Sequence, residues 1–168
     1  MERRLYIIRH GKSSWDNEGL DDIDRPLASR GLRNAEDMAL RLKEAGRVPQ
    51  LVYSSPANRA LNTAQIMCRQ WGLGPAELQI HDSLYMAYVS EIREVVSIAP
   101  GGITDLAIFG HNPSFTLYAN QFLADPLDNL PTAGVVVLTL ESESWSKLSR
   151  AQVKEALVDF PKKNRRHS

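Results

Sequence analysis

The sequence predicts an α/β protein in which a mostly parallel central sheet lies between two layers of helix. It is read as one domain over residues 1–160, followed by a basic tail over 161–168. Three observations carry this. Short, wholly apolar runs recur along the chain, longer amphipathic stretches separate them, and three of the runs lead into basic residues with Gly or Pro close by. Apolar runs bounded by polar punctuation suit strands covered on both faces, and their alternation with helical periodicity is the rhythm of βα units.

The elements follow in order. Leu5, Tyr6, Ile7 and Ile8 form the first strand, ending at Arg9, His10 and Gly11. "LASRGLRNAEDMALRLKEAG" is a helix: Ser29 is placed to cap it, Leu32, Ala35, Ala39 and Leu42 share one face, and Gly46 can end it. "QLVYSS" is the second strand, and "PANRALNTAQIMCRQWG" the second helix, with Pro56 suited to its first turn and Gly72 to its end. A shorter helix, "SEIREVVSIAP", opens at Ser90. "DLAIFG" is another buried strand, "FTLYANQFLA" a helix, and "GVVVLTLE" a strand rich in β-branched residues. Residues 151–160 fit two descriptions, since Val153, Ala156, Leu157 and Phe160 have helical spacing while the segment could equally return as an edge strand. The basic tail is expected to be solvated.

Bulk properties narrow the function. Of 168 residues, 43% are hydrophobic and 24% charged, enough for one well-buried core. Twenty basic residues balance twenty acidic ones, so no global field favours nucleic acid or an anionic membrane, and any anion site must be local. The amino-terminal apolar run is too short for a signal peptide or a membrane span, which predicts a cytoplasmic protein. Cys68 is the only cysteine, so an internal disulfide and a zinc site of paired cysteines are both excluded. It lies on the inner face of a helix, where a buried structural thiol is expected.

Function is concentrated where strands end. If the three strands before Arg9-His10, Arg59 and His111-Asn112 are parallel neighbours, two arginines and two histidines converge at the carboxyl edge of the sheet, where ligands of open α/β sheets bind. Helix starts near Pro56 and Pro113 would aim unpaired N–H groups and positive dipole ends at the same place. Such a cleft suits a doubly charged anion, with phosphate the obvious candidate. Each residue alone has a plainer reading: a satisfied strand-end histidine, a surface arginine, a helix-capping His111. Their threefold recurrence is what argues against coincidence. His81 and His167 have no such setting.

"RHG" after the first strand, "SSPANRALNTA" in the middle and "GHN" late resemble the three signatures of the histidine phosphatase superfamily. The short chain, "DDIDRPLASRG" and "PTAG" are most similar to its phosphohistidine phosphatase branch of SixA type, over about Leu5 to Leu140. The resemblance implies a phosphoglycerate mutase-like three-layer α/β/α sandwich and a phosphohistidine enzyme intermediate. In it His10 would be the nucleophile, and Arg9, Arg59 and His111 would hold the phosphoryl oxygens. Gly11 would let the backbone approach the phosphate, and Asn112 would orient His111 or donate to an oxygen. Arg25 and Asp22 would lie at the rim, touching the phosphorylated partner or ordering Arg9; a solvated acidic turn is the alternative.

Many members that cleave phosphate esters supply a carboxylic acid from the segment that here reads "HDSLYMAYVSEIREVV". Its candidates are Asp82, which looks like a turn residue, and Glu91, which suits a helix dipole after Ser90. The expected activity is a metal-independent, cofactor-free phosphatase releasing inorganic phosphate from a phosphohistidine protein. The alternatives are a phosphatase of small esters, such as sugar phosphates or nucleotides, and a phosphate-binding module without turnover, against which His10 argues. A metal held by His10 and His111 is disfavoured because flanking guanidiniums would repel a cation.

Overall fold

The computed structural model describes residues 1–161, so the predicted solvated tail lies outside the described residues apart from Pro161. Ten principal elements follow one another: β1 (Glu2–Arg9), α1 (Ser29–Glu44), β2 (Leu51–Ser54), α2 (Asn58–Trp71), β3 (Leu78–Ile80), α3 (Val89–Ser97), β4 (Asp105–Gly110), α4 (Ser114–Asn120), β5 (Val135–Glu141) and β6 (Val153–Asp159). The strands form one sheet in the order β3-β2-β4-β1-β5-β6. Pairings among the first four are parallel, while β5 and β6 join antiparallel.

Side chains alternating across the strands build two cores. Leu5, Ile7, Tyr53 and Ile108 pack with Ile92, Val95 and Val96 of α3 and Phe115, Tyr118 and Ala119 of α4. On the other face Tyr6, Ile8, Val52 and Phe109 meet Ala35, Met38 and Leu42 of α1 and Ala64, Met67 and Trp71 of α2. The result is the expected three-layer α/β/α sandwich. Cys68 is buried in the second core and is a free thiol, its pKa pushed up to about 11 by burial and then by the nearby Glu77 charge. No helix among the described residues is long and apolar enough to cross a membrane.

Several local expectations need correction. Ala28 is the cap of α1, with Ser29 already inside the helix and making no capping bond. Leu32 is 42% exposed, because the buried face is centred on Gly31, Ala35, Met38 and Leu42, and Leu32 projects to its side. α2 starts after Ala57, beyond Pro56. α3 starts at Val89, and its cap is Tyr88, whose N–H donates to Glu91 Oε1 at 2.9 Å. The ambiguous segment 151–160 resolves as edge strand β6, paired along β5. None of its residues is fully buried, as suits an edge strand.

Parallel register fixes the functional edge. Arg9 lies level with Gly110, and Ser54 and Ile8 both lie level with Phe109, so β1, β4 and β2 deliver their following residues side by side. Loop residues continue the ladder: His10 N–H donates to Gly110 O and Ser55 N–H to Phe109 O.

Candidate functional site

His10 and His111 follow neighbouring strands, and their ring centroids are 5.2 Å apart. Both are buried, and each ring has one nitrogen with a hydrogen-bond partner. His10 Nδ1 lies 2.7 Å from Gly11 O, a group that can only accept, so Nδ1 carries the proton and the Nε2 lone pair is free. Ser55 Oγ accepts from Ala57 N–H at 3.2 Å and is 2.8 Å from His111 Nε2. The hydroxyl can donate to that nitrogen or accept from it, and His111 Nδ1 is buried with no partner among the described residues.

Burial, then the positive charges of Arg59 and Arg9, push the His10 pKa down to about 4, against an opposing contribution from the Gly11 carbonyl. Burial, followed by His10 and Arg59, brings His111 down to about 3. Both rings are neutral near pH 7.

Three arginines surround them. Arg9 Nη1 donates to Leu130 O at 3.0 Å, while its buried Nε has no partner among the described residues. Arg59, at the start of α2, donates to Asp22 O at 2.7 Å and to Asp22 Oδ2 at 2.9 Å. Arg25 donates to Ser13 Oγ and to Asp22 Oδ1, stacks 3.5 Å from the Trp15 ring centroid, and also leaves a buried Nε unpartnered. Buried polar atoms are nearly always bonded. Five described side-chain atoms are not, and three of them, on Arg9, Arg25 and His111, belong to this one cleft. The two guanidinium nitrogens are donors, as an anion requires.

Asp22 is the knot of the rim, bonded to Arg59, Arg25 and the Tyr85 hydroxyl, and not to Arg9. Partial burial pushes its pKa up, but hydrogen bonds from Tyr85, Arg59 and Arg25 outweigh this and hold it near 2. It is a carboxylate at any working pH. Asn112 is turned away: its amide donates to Asn129 Oδ1 and Leu130 O, and its oxygen accepts from Thr116 Oγ1. It thereby steadies the carbonyl that holds Arg9.

Gly11 also lies close against α1. Its N–H donates to Thr63 Oγ1, and an added Cβ would lie 3.0 Å from Gly31 O, so a side chain would collide with α1. Glu91 is bonded to the backbone of Tyr88, and Asp82 sits exposed in a turn. Sequence reasoning missed Ser55, Tyr85 and Trp15. Only Ser55 carried a local signal, as a hydroxyl immediately before Pro56.

The fold and this cleft set two neutral histidines among three arginines at the carboxyl edge of a parallel sheet. A family model, the histidine phosphatase superfamily (branch 1), matches residues 5–85. An uncharacterised chloroplastic protein of Arabidopsis thaliana is 30% identical over 155 residues, covering 88% of this chain and 71% of its own. The chain belongs to the histidine phosphatase superfamily.

Structural likeness then places it on the SixA-like branch. A structure assigned as phosphohistidine phosphatase SixA from Nakamurella multipartitia aligns with a TM-score of 0.81 at 24% identity, covering 96% of this chain and 97% of that one. Its Agrobacterium tumefaciens counterpart gives 0.74 at 27%, covering 82% and 92%. A mycobacterial glucosyl-3-phosphoglycerate phosphatase shares the fold at 0.65 and 16% identity, covering 95% and 98%. Against the 2,3-bisphosphoglycerate-dependent phosphoglycerate mutase of Bifidobacterium longum, the chain covers 28% of that protein's length.

Proposed function

We propose that this chain is a protein phosphohistidine phosphatase that works through a phosphohistidine intermediate on His10. The observation that supports it is the setting of His10: its Nδ1 proton is directed at Gly11 O, which leaves a bare lone pair on Nε2, beside His111 and among Arg9, Arg25 and Arg59. His10 Nε2 attacks phosphorus, the substrate's P–N bond breaks as the new P–N bond forms, and the departing imidazole takes a proton from solvent. Water then attacks phosphorus and the bond to His10 breaks. Inorganic phosphate leaves, and the lone pair returns to Nε2. Arg9, Arg25, Arg59 and His111 offset charge on the equatorial oxygens, the dominant need in phosphoryl transfer.

The leaving group selects phosphorus–nitrogen substrates. An alkoxide is strongly basic and calls for a positioned acid, typically worth ~10² to 10⁴ in rate. Glu91 is engaged at a helix start, Asp82 is exposed, and Asp22 is held ionised. Imidazole, with a pKa near ~6.5, departs without such help. A metal is not needed in this reading, because guanidiniums supply the positive charge a cation would otherwise bring and would repel it. The cytoplasm fits the single reduced thiol. Hydrolysis of small phosphate esters is the second reading, favoured by the likeness to the mycobacterial enzyme.

The test is to incubate protein and His10→Ala with a radiolabelled phosphohistidine protein, a sugar phosphate and EDTA-treated controls. Acid-labile, base-stable label on the wild type only, a higher kcat/KM for the phosphohistidine protein, and full activity in EDTA are expected. Activity retained by His10→Ala rejects the mechanism, and equal turnover of the ester rejects the substrate.

A further inference from the structure

On the His111 side the lip of the cleft is apolar. A groove of about 490 Å³ runs between the segment before α3 and the start of α4, walled by Met86, Ala87, Tyr88, Pro113 and Leu117 and reaching His111 at its inner end. Met86, Tyr88 and Leu117 are 79%, 77% and 54% exposed. Met86 holds φ at 53°, a conformation uncommon outside glycine, so the segment keeps this side chain in water at a conformational cost. Contiguous apolar surface of this kind marks a contact site.

The chemistry of the occupant can be narrowed. Two of the polar side chains along the groove already have partners, since Asn112 is bonded to Asn129, Leu130 and Thr116 and Ser114 Oγ donates to His111 O, which leaves the Tyr88 hydroxyl and the His111 ring. Sugar hydroxyls or a base edge would find little to bond. Across the cleft, Trp15 is 67% exposed on top of Arg25. Contacts run from Trp15 through Arg25, Asp22 and Tyr85 to His111, whose ring meets the Tyr85 edge at 5.6 Å. The cationic centre thus has exposed apolar surface on both sides. A ligand that places its anionic phosphoryl group at that centre and covers both flanks is broader than a metabolite.

We infer that the groove receives apolar side chains flanking the phosphorylated residue of a polypeptide substrate, and so selects proteins over sugar phosphates and nucleotides. This rests on the phosphatase reading above. Exposed Met and aromatic residues around a polar centre are also the composition of protein-binding surfaces.

The experiment compares kcat/KM for two phosphohistidine peptides, one with Leu and Phe beside the phosphorylated residue and one with Ser and Asn there. Phosphoramidate serves as a flank-free substrate and octyl phosphate as an apolar ester. Wild type, Leu117→Ser and Met86→Ser are measured. The wild type should prefer the apolar peptide by roughly tenfold or more, through KM. Both variants should lose that preference while hydrolysing phosphoramidate at the wild-type rate. Equal use of the two peptides, or a preference unchanged in both variants, overturns the groove and leaves the phosphatase standing. Variants that also lose phosphoramidate turnover would show that these residues support the centre itself, and octyl phosphate outrunning the apolar peptide would make the occupant a lipid-like ester. Either result overturns the proposal. Failure of the wild type on phosphoramidate and both peptides would instead reject the phosphatase reading.

Discussion

In the proposed mechanism His10 attacks as a free base, which works best when nothing protonates it, and burial among arginines provides this. With its pKa near 4, kcat/KM should stay level from pH 8 to about 5 and fall about tenfold per unit below about 4; a limb near 6.5 would show that burial does not govern the ring. Stability follows the same groups. Above about pH 6.5 neither the folded nor the unfolded chain protonates these rings. As pH falls from there through the folded values near 4 and 3, the unfolded chain takes up protons that the native state refuses. The melting temperature should therefore drop across that window, and less steeply in His10→Asn and His111→Asn. Arg9, His10, Arg59 and His111 were legible because each follows a strand visible as an apolar run. Asp22's grip on Arg59 was not, since it joins residues 37 positions apart through a carboxylate that local sequence presents as one of several in an acidic turn.

At the level of elements, the site depends on how closely α1 approaches the loop after β1. Gly31 makes this possible: a Cβ there would run into Lys12 O and lie 2.9 Å from Lys12 N, both backbone atoms that cannot swing aside. Gly31→Ala should destabilise the fold by ~1–3 kcal/mol through overpacking, and lower activity by displacing the loop that carries His10. Urea unfolding and kcat/KM measure the two effects; an unchanged midpoint would mean that the loop relaxes freely. The sequence marked this helix correctly but not its entry, because Ser29 has capping chemistry while the helix opens with Leu32 N–H donating to the carbonyl of Ala28. β6 was ambiguous for a related reason. Its apolar residues have helical spacing, and only pairing along β5 makes it a strand.

Across the whole molecule, the end of β1 opposite the cleft is held as firmly as the cleft end is adapted to an anion. Arg3 is 1% exposed and donates to four carbonyls, those of Gly101, Ile103, Ser142 and Glu143, beneath the Trp145 ring. Nothing in "MERRLY" distinguishes it from the neighbouring Arg4, which pairs with Asp105 at the surface. Arg3→Met should cost about 2–4 kcal/mol by leaving buried carbonyls unanswered, with kcat unaltered. Denaturant titration beside steady-state kinetics checks this, and a loss of kcat at unchanged stability would contradict it. β1 lies between β4 and β5, so its central amides can exchange with solvent only when the sheet itself opens. One strand therefore carries two kinds of inheritance: damage at its carboxyl end leaves a durable protein that does nothing, and damage at its amino end leaves a competent enzyme that does not last.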